Sequence, residues 1–194
     1  MRVGPGAKAI PASQQRRART LLAALAAGVA LQPAPARADE LFAGVYAHAV
    51  DTPLSLRTDE GGADVQVGYR FDGIEALAFL GNPSPYVLGS INTRGDTSFA
   101  GAGLSWKLGG GAIYARPEIG VIVHDGPRLR IAPDGTHTEL GSRVLFAPGL
   151  GVGARISPRL SLEASWVHVS QGQVFDSRQN PGIDMWGARL NWKL

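Results

Sequence analysis

Residues 184–194 read DMWGARLNWKL. Trp186, Ala188, Leu190, Trp192 and Leu194 fall on one parity, and Gly187, Arg189, Asn191 and Lys193 fall on the other. Side chains two apart in a strand share a face, so this stretch predicts a strand with one apolar side and one small or charged side. The same pattern recurs upstream. Val65, Val67, Tyr69 and Phe71 oppose Gln66, Gly68 and Arg70; Ala100, Ala102, Leu104, Trp106 and Leu108 oppose Gly101, Gly103, Ser105 and Lys107. Ile113, Ala115, Ile119, Val121 and Val123 likewise oppose Tyr114, Arg116, Glu118 and Gly120. Eight such stretches are expected, at 41–50, 62–71, 84–93, 97–108, 111–123, 140–156, 160–170 and 184–194, each ended by turn-forming residues.

Alternation of this kind also suits a soluble sandwich, so the start of the chain matters. Arg16, Arg17 and Arg19 precede the apolar run Leu21–Leu31, and Ala36-Arg37-Ala38 gives a small-x-small cleavage pattern. That run is short for a membrane span, which takes about 20 residues, and it reads as a secretory signal. The expected organisation is a cleaved signal peptide over 1–38 and one domain over 39–194. An exported chain with an even number of amphipathic strands and a strand at its end predicts an all-β fold, an eight-stranded antiparallel transmembrane β-barrel. Its apolar faces meet lipid and its lumen takes Gly, Ser and paired charges. Closure is required because an open edge in hydrocarbon leaves backbone groups unpaired. Trp106, Trp166, Trp186 and Trp192 all take the lipid-facing parity.

The formal charge of +3 is misleading, because six of the 19 Lys and Arg lie in 1–38 together with no acidic residue. The remaining 156 residues hold 13 basic and 16 acidic side chains, a net of −3. Binding of nucleic acid through a broad basic surface is therefore not expected. The absence of cysteine excludes disulfides, thiol catalysis and thiolate metal sites. His48, His124 and His137 are not clustered in sequence, and no metal or cofactor is called for. With both ends periplasmic, the connections 51–61, 94–96, 124–139 and 171–183 face outward, and 72–83, 109–110 and 157–159 face the periplasm. The segment 72–83, with Ile74, Leu77, Phe79 and Leu80, is expected either to extend a strand or to form a small apolar plug. Arg116, Glu118, Glu163, Arg189 and Lys193 take the lumen parity and are expected to form an internal charge network.

The seventh stretch ends in LEASWVHVSQG. His168 and Ser170 are two apart and share the face of Leu162, Ala164 and Trp166. The eighth opens with Asp184 on the face of Trp186 and Ala188, and a hairpin returns it beside His168. Ester hydrolysis needs a nucleophile, a base and a group that orients the base, and Ser170, His168 and Asp184 supply those three types. Asn180 and a backbone N–H near Gly182 are candidate oxyanion donors. Incidental polarity at the membrane boundary would produce the same residues.

At these residues the chain resembles the lipid A 3-O-deacylase (PagL-like) family of outer-membrane barrels. The resemblance rests on His168-Val169-Ser170 followed by Asn180-Pro181-Gly182-Ile183-Asp184. It extends to the stretches GVYAH, SPYVLGSINT, FAGAGLSWKL and ASWVHVS, which together sample 41–194. It implies an eight-stranded barrel in the outer membrane of a Gram-negative bacterium. It also implies a serine esterase that removes the 3-position hydroxyacyl chain of lipid A, without a cofactor. By position, the family's catalytic histidine falls on His168, its nucleophile on Ser170, its acid on Asp184 and its oxyanion asparagine on Asn180. Two residues depart from the family pattern: Gln171 follows the serine where the family has asparagine, and the acid is aspartate instead of glutamate.

The expected partners are lipid A or lipopolysaccharide as a membrane-embedded substrate and the lipid of the outer membrane, with no nucleic acid; oligomeric state is not legible. Arg94, Arg128 and Arg130 in the outward loops suit lipid phosphates, and equally suit ordinary loop charge. Two other functions fit the same residues: a structural or adhesive barrel without hydrolase activity, and a barrel hydrolase acting on another membrane lipid ester.

Overall fold

A computed structural model of the protein describes residues 39–55, 60–126, 140–175 and 181–194. The expected signal peptide and its cleavage site, Asn180, Arg128, Arg130 and His137 lie outside those residues. The chain forms a closed antiparallel barrel from β1 (Glu40–Ala47), β2 (Ala63–Arg70), β3 (Ser84–Asn92), β4 (Phe99–Ser105), β5 (Ile113–His124), β6 (Val144–Phe146), β7 (Gly149–Arg155), β8 (Leu160–Ser170) and β9 (Gly182–Lys193). Apart from β6 and β7, which do not pair with each other, each strand pairs with the next along the chain, and β1 pairs with β9 to close the ring.

β6 and β7 together make the sixth wall strand, so the barrel has the eight strands expected. Both pair with β5, and both pair with β8. The break falls at Ala147-Pro148, where proline has no N–H for the ladder. Ala147 exchanges backbone bonds with Gly120, and the Pro148 carbonyl accepts from His168 N–H at 2.9 Å, so the wall stays closed. The first strand ends at Ala47, short of the predicted boundary, because Ala49 takes a left-handed φ of 53°. The 72–83 connection is neither a strand extension nor a plug. It holds a short 3-10 helix, Glu75–Leu80, with Phe79 and Leu80 exposed.

The predicted parity holds around the wall. Val45, Val65, Val67, Ile91, Ile119, Val123, Val152, Leu162 and Leu190 point outward and are exposed, while Gln66, Arg70, Arg116, Glu118, Glu163 and Arg189 point inward and are buried. An apolar exterior around a polar interior is the inverse of a soluble sandwich and is the pattern of a transmembrane barrel.

The lumen is layered. At the end holding Asp39 and Leu194, which are themselves joined by a backbone bond, Glu40, Glu118 and Glu163 interlock with Arg70, Arg116 and Arg189. Arg189 Nη2 lies 2.6 Å from Glu163 and 2.9 Å from Glu118; Arg70 and Arg116 both reach Glu40, at 2.7 and 2.9 Å. The guanidinium groups of Arg70 and Arg189 lie 4.8 and 5.1 Å from the centre of the Phe42 ring. Such groups are tolerated in the interior because each charge is paired and hydrogen-bonded.

The opposite end departs from a purely small and charged lumen. Phe99, Ile122, Leu140, Leu145, Val167, Val169, Ile183 and Met185 pack there as an apolar core. The reason is parity: His168, Ser170 and Asp184 take the outward positions, so the apolar residues alternating with them must turn inward. Beside this core His48 donates to Asp64 (2.7 Å) and to Glu60 (2.8 Å), and all three side chains are buried. Asn92 Nδ2 donates to Asp64, and the Thr97 hydroxyl donates to Glu60, each at 3.0 Å. Burial disfavours the His48 cation, but the hydrogen bonds and charges of Asp64 and Glu60 outweigh it and raise its pKa to about 9.

Candidate active site

The β8–β9 ladder brings two of the predicted residues directly together. His168 and Asp184 are register partners, as are Ser170 and Gly182. His168 Nδ1 lies 3.0 Å from Asp184 Oδ1, a contact in which the ring N–H donates and the carboxylate accepts. That bond leaves Nε2 as the nitrogen free to accept a proton.

The imidazole leans along β8 toward Ser170. A Cβ built on Gly182 would lie 2.5 Å from His168 Cε1 and 3.0 Å from Nε2, so the ring occupies the space that glycine leaves open. Nε2 therefore sits over the residue that faces Ser170 across the ladder. Among the described residues no hydrogen bond joins Ser170 Oγ to the ring. Contacts of this kind are often long without substrate and tighten when it binds.

Ser170 is 7% exposed. It pairs with Gly182 on one side and with Phe146 of β6 on the other. Phe146 stacks on Phe175, with ring centroids 6.3 Å apart. Gln171, which follows the serine, is fully buried and builds the turn beyond β8: its Oε1 accepts from Phe175 N–H at 3.1 Å and its carbonyl from Val174 N–H at 3.2 Å. The Gln171 amide thus holds the segment that stacks Phe175 on Phe146, the β6 partner of the serine. Val174, Phe175 and Leu54 are exposed around the site and give it an apolar rim.

Two contributors are not evident from the sequence. Trp166, placed there as a lipid-facing aromatic, also donates from Nε1 to Asp184 Oδ1 at 2.8 Å. Thr52, in the connection after β1, donates its hydroxyl to Asp184 Oδ2. Both carboxylate oxygens are occupied, and Asp184 is wholly buried although its parity points outward. The β1–β2 connection covers it, and Val50 N–H donates to the Asp184 carbonyl at 2.8 Å. A short polar residue followed by turn formers at 51–55 was the only sequence signal for Thr52, and it is not specific. Among the other charged residues considered, Arg94 is exposed and 3.7 Å from Asp96. Among the described residues no group of three or more His, Asp or Glu is arranged to hold a metal.

The lipid A 3-O-deacylase (PagL) family profile matches residues 64–193. The crystal structure of the outer membrane enzyme PagL superposes with a TM-score of 0.55 at 14% identity, covering 80% of this chain and 99% of that one. Neisserial surface protein A superposes with a TM-score of 0.51 at 11% identity, covering 80% of this chain and 97% of that one. No curated protein sequence matches the chain. At these identities the superpositions establish the fold, a barrel typical of outer-membrane proteins, and the profile establishes the lineage. The chain belongs to the lipid A 3-O-deacylase (PagL) family.

Proposed function

We propose that this barrel is a serine esterase of the outer membrane that removes the 3-O-linked hydroxyacyl chain of lipid A from the outer leaflet. The observation that carries the reading is the His168–Asp184 hydrogen bond on the lipid-facing side of the wall, two residues from Ser170. A hydrolase acting on a soluble ester has no reason to assemble its base on the outside of a membrane barrel. One acting on a lipid ester does, because the acyl chain can stay against the apolar wall while its ester sits at the barrel rim.

In this reading His168 Nε2 takes the Ser170 proton as Oγ attacks the acyl carbonyl. Asp184 keeps the ring in the required tautomer and stabilises its positive charge. The side chain of Asn180 and a backbone N–H at Gly182 receive the oxyanion. The C–O bond to the sugar breaks as His168 returns the proton to the sugar oxygen. Water then attacks the acyl-serine as His168 accepts its proton, the acyl–Oγ bond breaks as His168 passes that proton to Ser170 Oγ, and a free hydroxy fatty acid leaves. Cleavage after Ala38, both termini on the periplasmic side and the site at the outer leaflet complete the assignment.

Labelling of the membrane-embedded protein by a lipophilic fluorophosphonate tests it. Mass mapping is expected to place the adduct on Ser170, with none formed in Ser170→Ala. An absent adduct on a folded, membrane-inserted barrel contradicts serine chemistry. A serine-dependent product other than the 3-hydroxy fatty acid assigns the same site to another lipid ester.

A further inference from the structure

We propose that Thr52 is a positioning residue of this site, fixing the Asp184 carboxylate so that Oδ1 stays on His168; the proposal rests on the serine-esterase reading above. An aspartate side chain reaches less far than a glutamate, and two rotatable bonds let its carboxylate turn away from the imidazole. Three donors restrict that rotation. Trp166 Nε1 and His168 Nδ1 share Oδ1, at 2.8 and 3.0 Å, and the Thr52 hydroxyl holds Oδ2. Without Thr52, Oδ2 would be a fully buried anionic oxygen with no described donor, which is costly enough to reorient the group.

The direction of the Thr52 bond is set locally. Leu54 N–H donates into Thr52 Oγ1 at 3.1 Å, which leaves the hydroxyl proton for the carboxylate. An ionised carboxylate only accepts, so the two groups are matched. The approach of Thr52 is set by the backbone. His48 is locked inside the barrel by Asp64 and Glu60. Ala49, at φ 53°, then turns the chain over the rim. Val50 N–H bonds the Asp184 carbonyl at 2.8 Å, registering the segment on β9. The connection after β1 is therefore part of the hydrolytic site, although it is 132 residues from Asp184 in the chain.

The experiment compares wild type, Thr52→Val, Thr52→Ser and Ser170→Ala of the full chain in outer-membrane vesicles containing lipid A. It reads fatty-acid release against pH and, independently of turnover, the His168 imidazole resonances. Thr52→Val is expected to lower kcat roughly tenfold with KM unchanged, the loss expected for one hydrogen bond to a charged group. Its kcat/KM profile is expected to move its acidic limb to lower pH, because a carboxylate turned away from the ring no longer stabilises the imidazolium. Thr52→Ser keeps the hydroxyl and is expected to restore both. Wild-type kcat and pH profile in Thr52→Val, beside an inactive Ser170→Ala, overturn the role of Thr52 and leave the esterase reading intact. Unchanged His168 titration in Thr52→Val overturns it whether or not lipid is hydrolysed. Release that persists in Ser170→Ala overturns the esterase reading itself, and with it the positioning role.

Discussion

His168 and Asp184 face each other across the β8–β9 ladder on the outward side of the barrel, with Nδ1 3.0 Å from Oδ1 and the carboxylate wholly buried. A buried acid on a lipid-facing surface exists only because Thr52, Trp166 and the imidazole cover it. The arrangement makes one glycine critical. Gly182→Ala would bring a methyl group 2.5 Å from His168 Cε1 and 3.2 Å from the Val169 carbonyl, so the ring must move. A displacement of about 1 Å at a reacting group costs on the order of a hundredfold in rate. Gly182→Ala is expected to lose about that much lipid hydrolysis while still showing heat-modifiable migration of a folded barrel. Full activity would place the working position of His168 elsewhere.

The charge network predicts a stability effect at the other end of the lumen. Glu163 is completely buried and accepts from Tyr114, Arg116, Arg189 and Asn191. Glu163→Ala leaves Arg116 and Arg189 short of a counter-ion, a change that costs about 3–5 kcal/mol when a buried pair is broken from one side. Denaturant unfolding in lipid vesicles measures it. A loss below about 1 kcal/mol would mean that water reaches this layer and screens it.

His48 predicts a pH dependence. Its folded pKa is raised to about 9 from an ordinary 6.5, so its protonation stabilises the barrel. The contribution is complete below about pH 6.5 and is lost as pH rises through about 9. The stability difference between wild type and His48→Gln is expected to be largest in slightly acid solution and to shrink across that interval. Amide exchange in residues 48–52 is expected to rise with it, since His48 anchors the segment that carries Thr52. A difference that does not vary between pH 6.5 and 9 contradicts the protonated assignment.

The outer wall predicts a lipid-specific penalty. Val67 points outward at 57% exposure, between Ala43 of β1 and Gly89 of β3. Val67→Arg is expected to destabilise the barrel in bilayers by about 2–4 kcal/mol, the cost of arginine on the lipid face near the midplane. An unchanged unfolding free energy in vesicles would show that this face does not meet hydrocarbon.

Much of this fold was legible in short windows of sequence, because strand parity is local. The alternation at 111–123, 160–170 and 184–194 separates wall from lumen residue by residue, and Arg116, Glu163 and Arg189 fall on the buried side as that alternation requires. The pairing of His168 with Asp184 was legible for the same reason: a hairpin joins them and one face holds both. What was not legible depends on contacts between distant elements. Nothing near Thr52 reveals that its partner is Asp184, and Trp166 reads only as an interfacial aromatic until the carboxylate is seen beside it. The proline break between β6 and β7 was visible as a residue, but its effect depended on Gly120 and His168 continuing the ladder. The apolar upper lumen was also hidden, since Val167, Val169 and Ile183 alternate with polar site residues and invert the usual code.

The central claim, that Ser170 hydrolyses an ester of lipid A, is tested most directly by the mass of lipid A from a Gram-negative host expressing the chain or its Ser170→Ala form. The account predicts that the intact chain removes the mass of one 3-hydroxyacyl group and that Ser170→Ala, equally folded and inserted, removes none. Lipid A of unchanged mass in both, or the same loss in both, would contradict it.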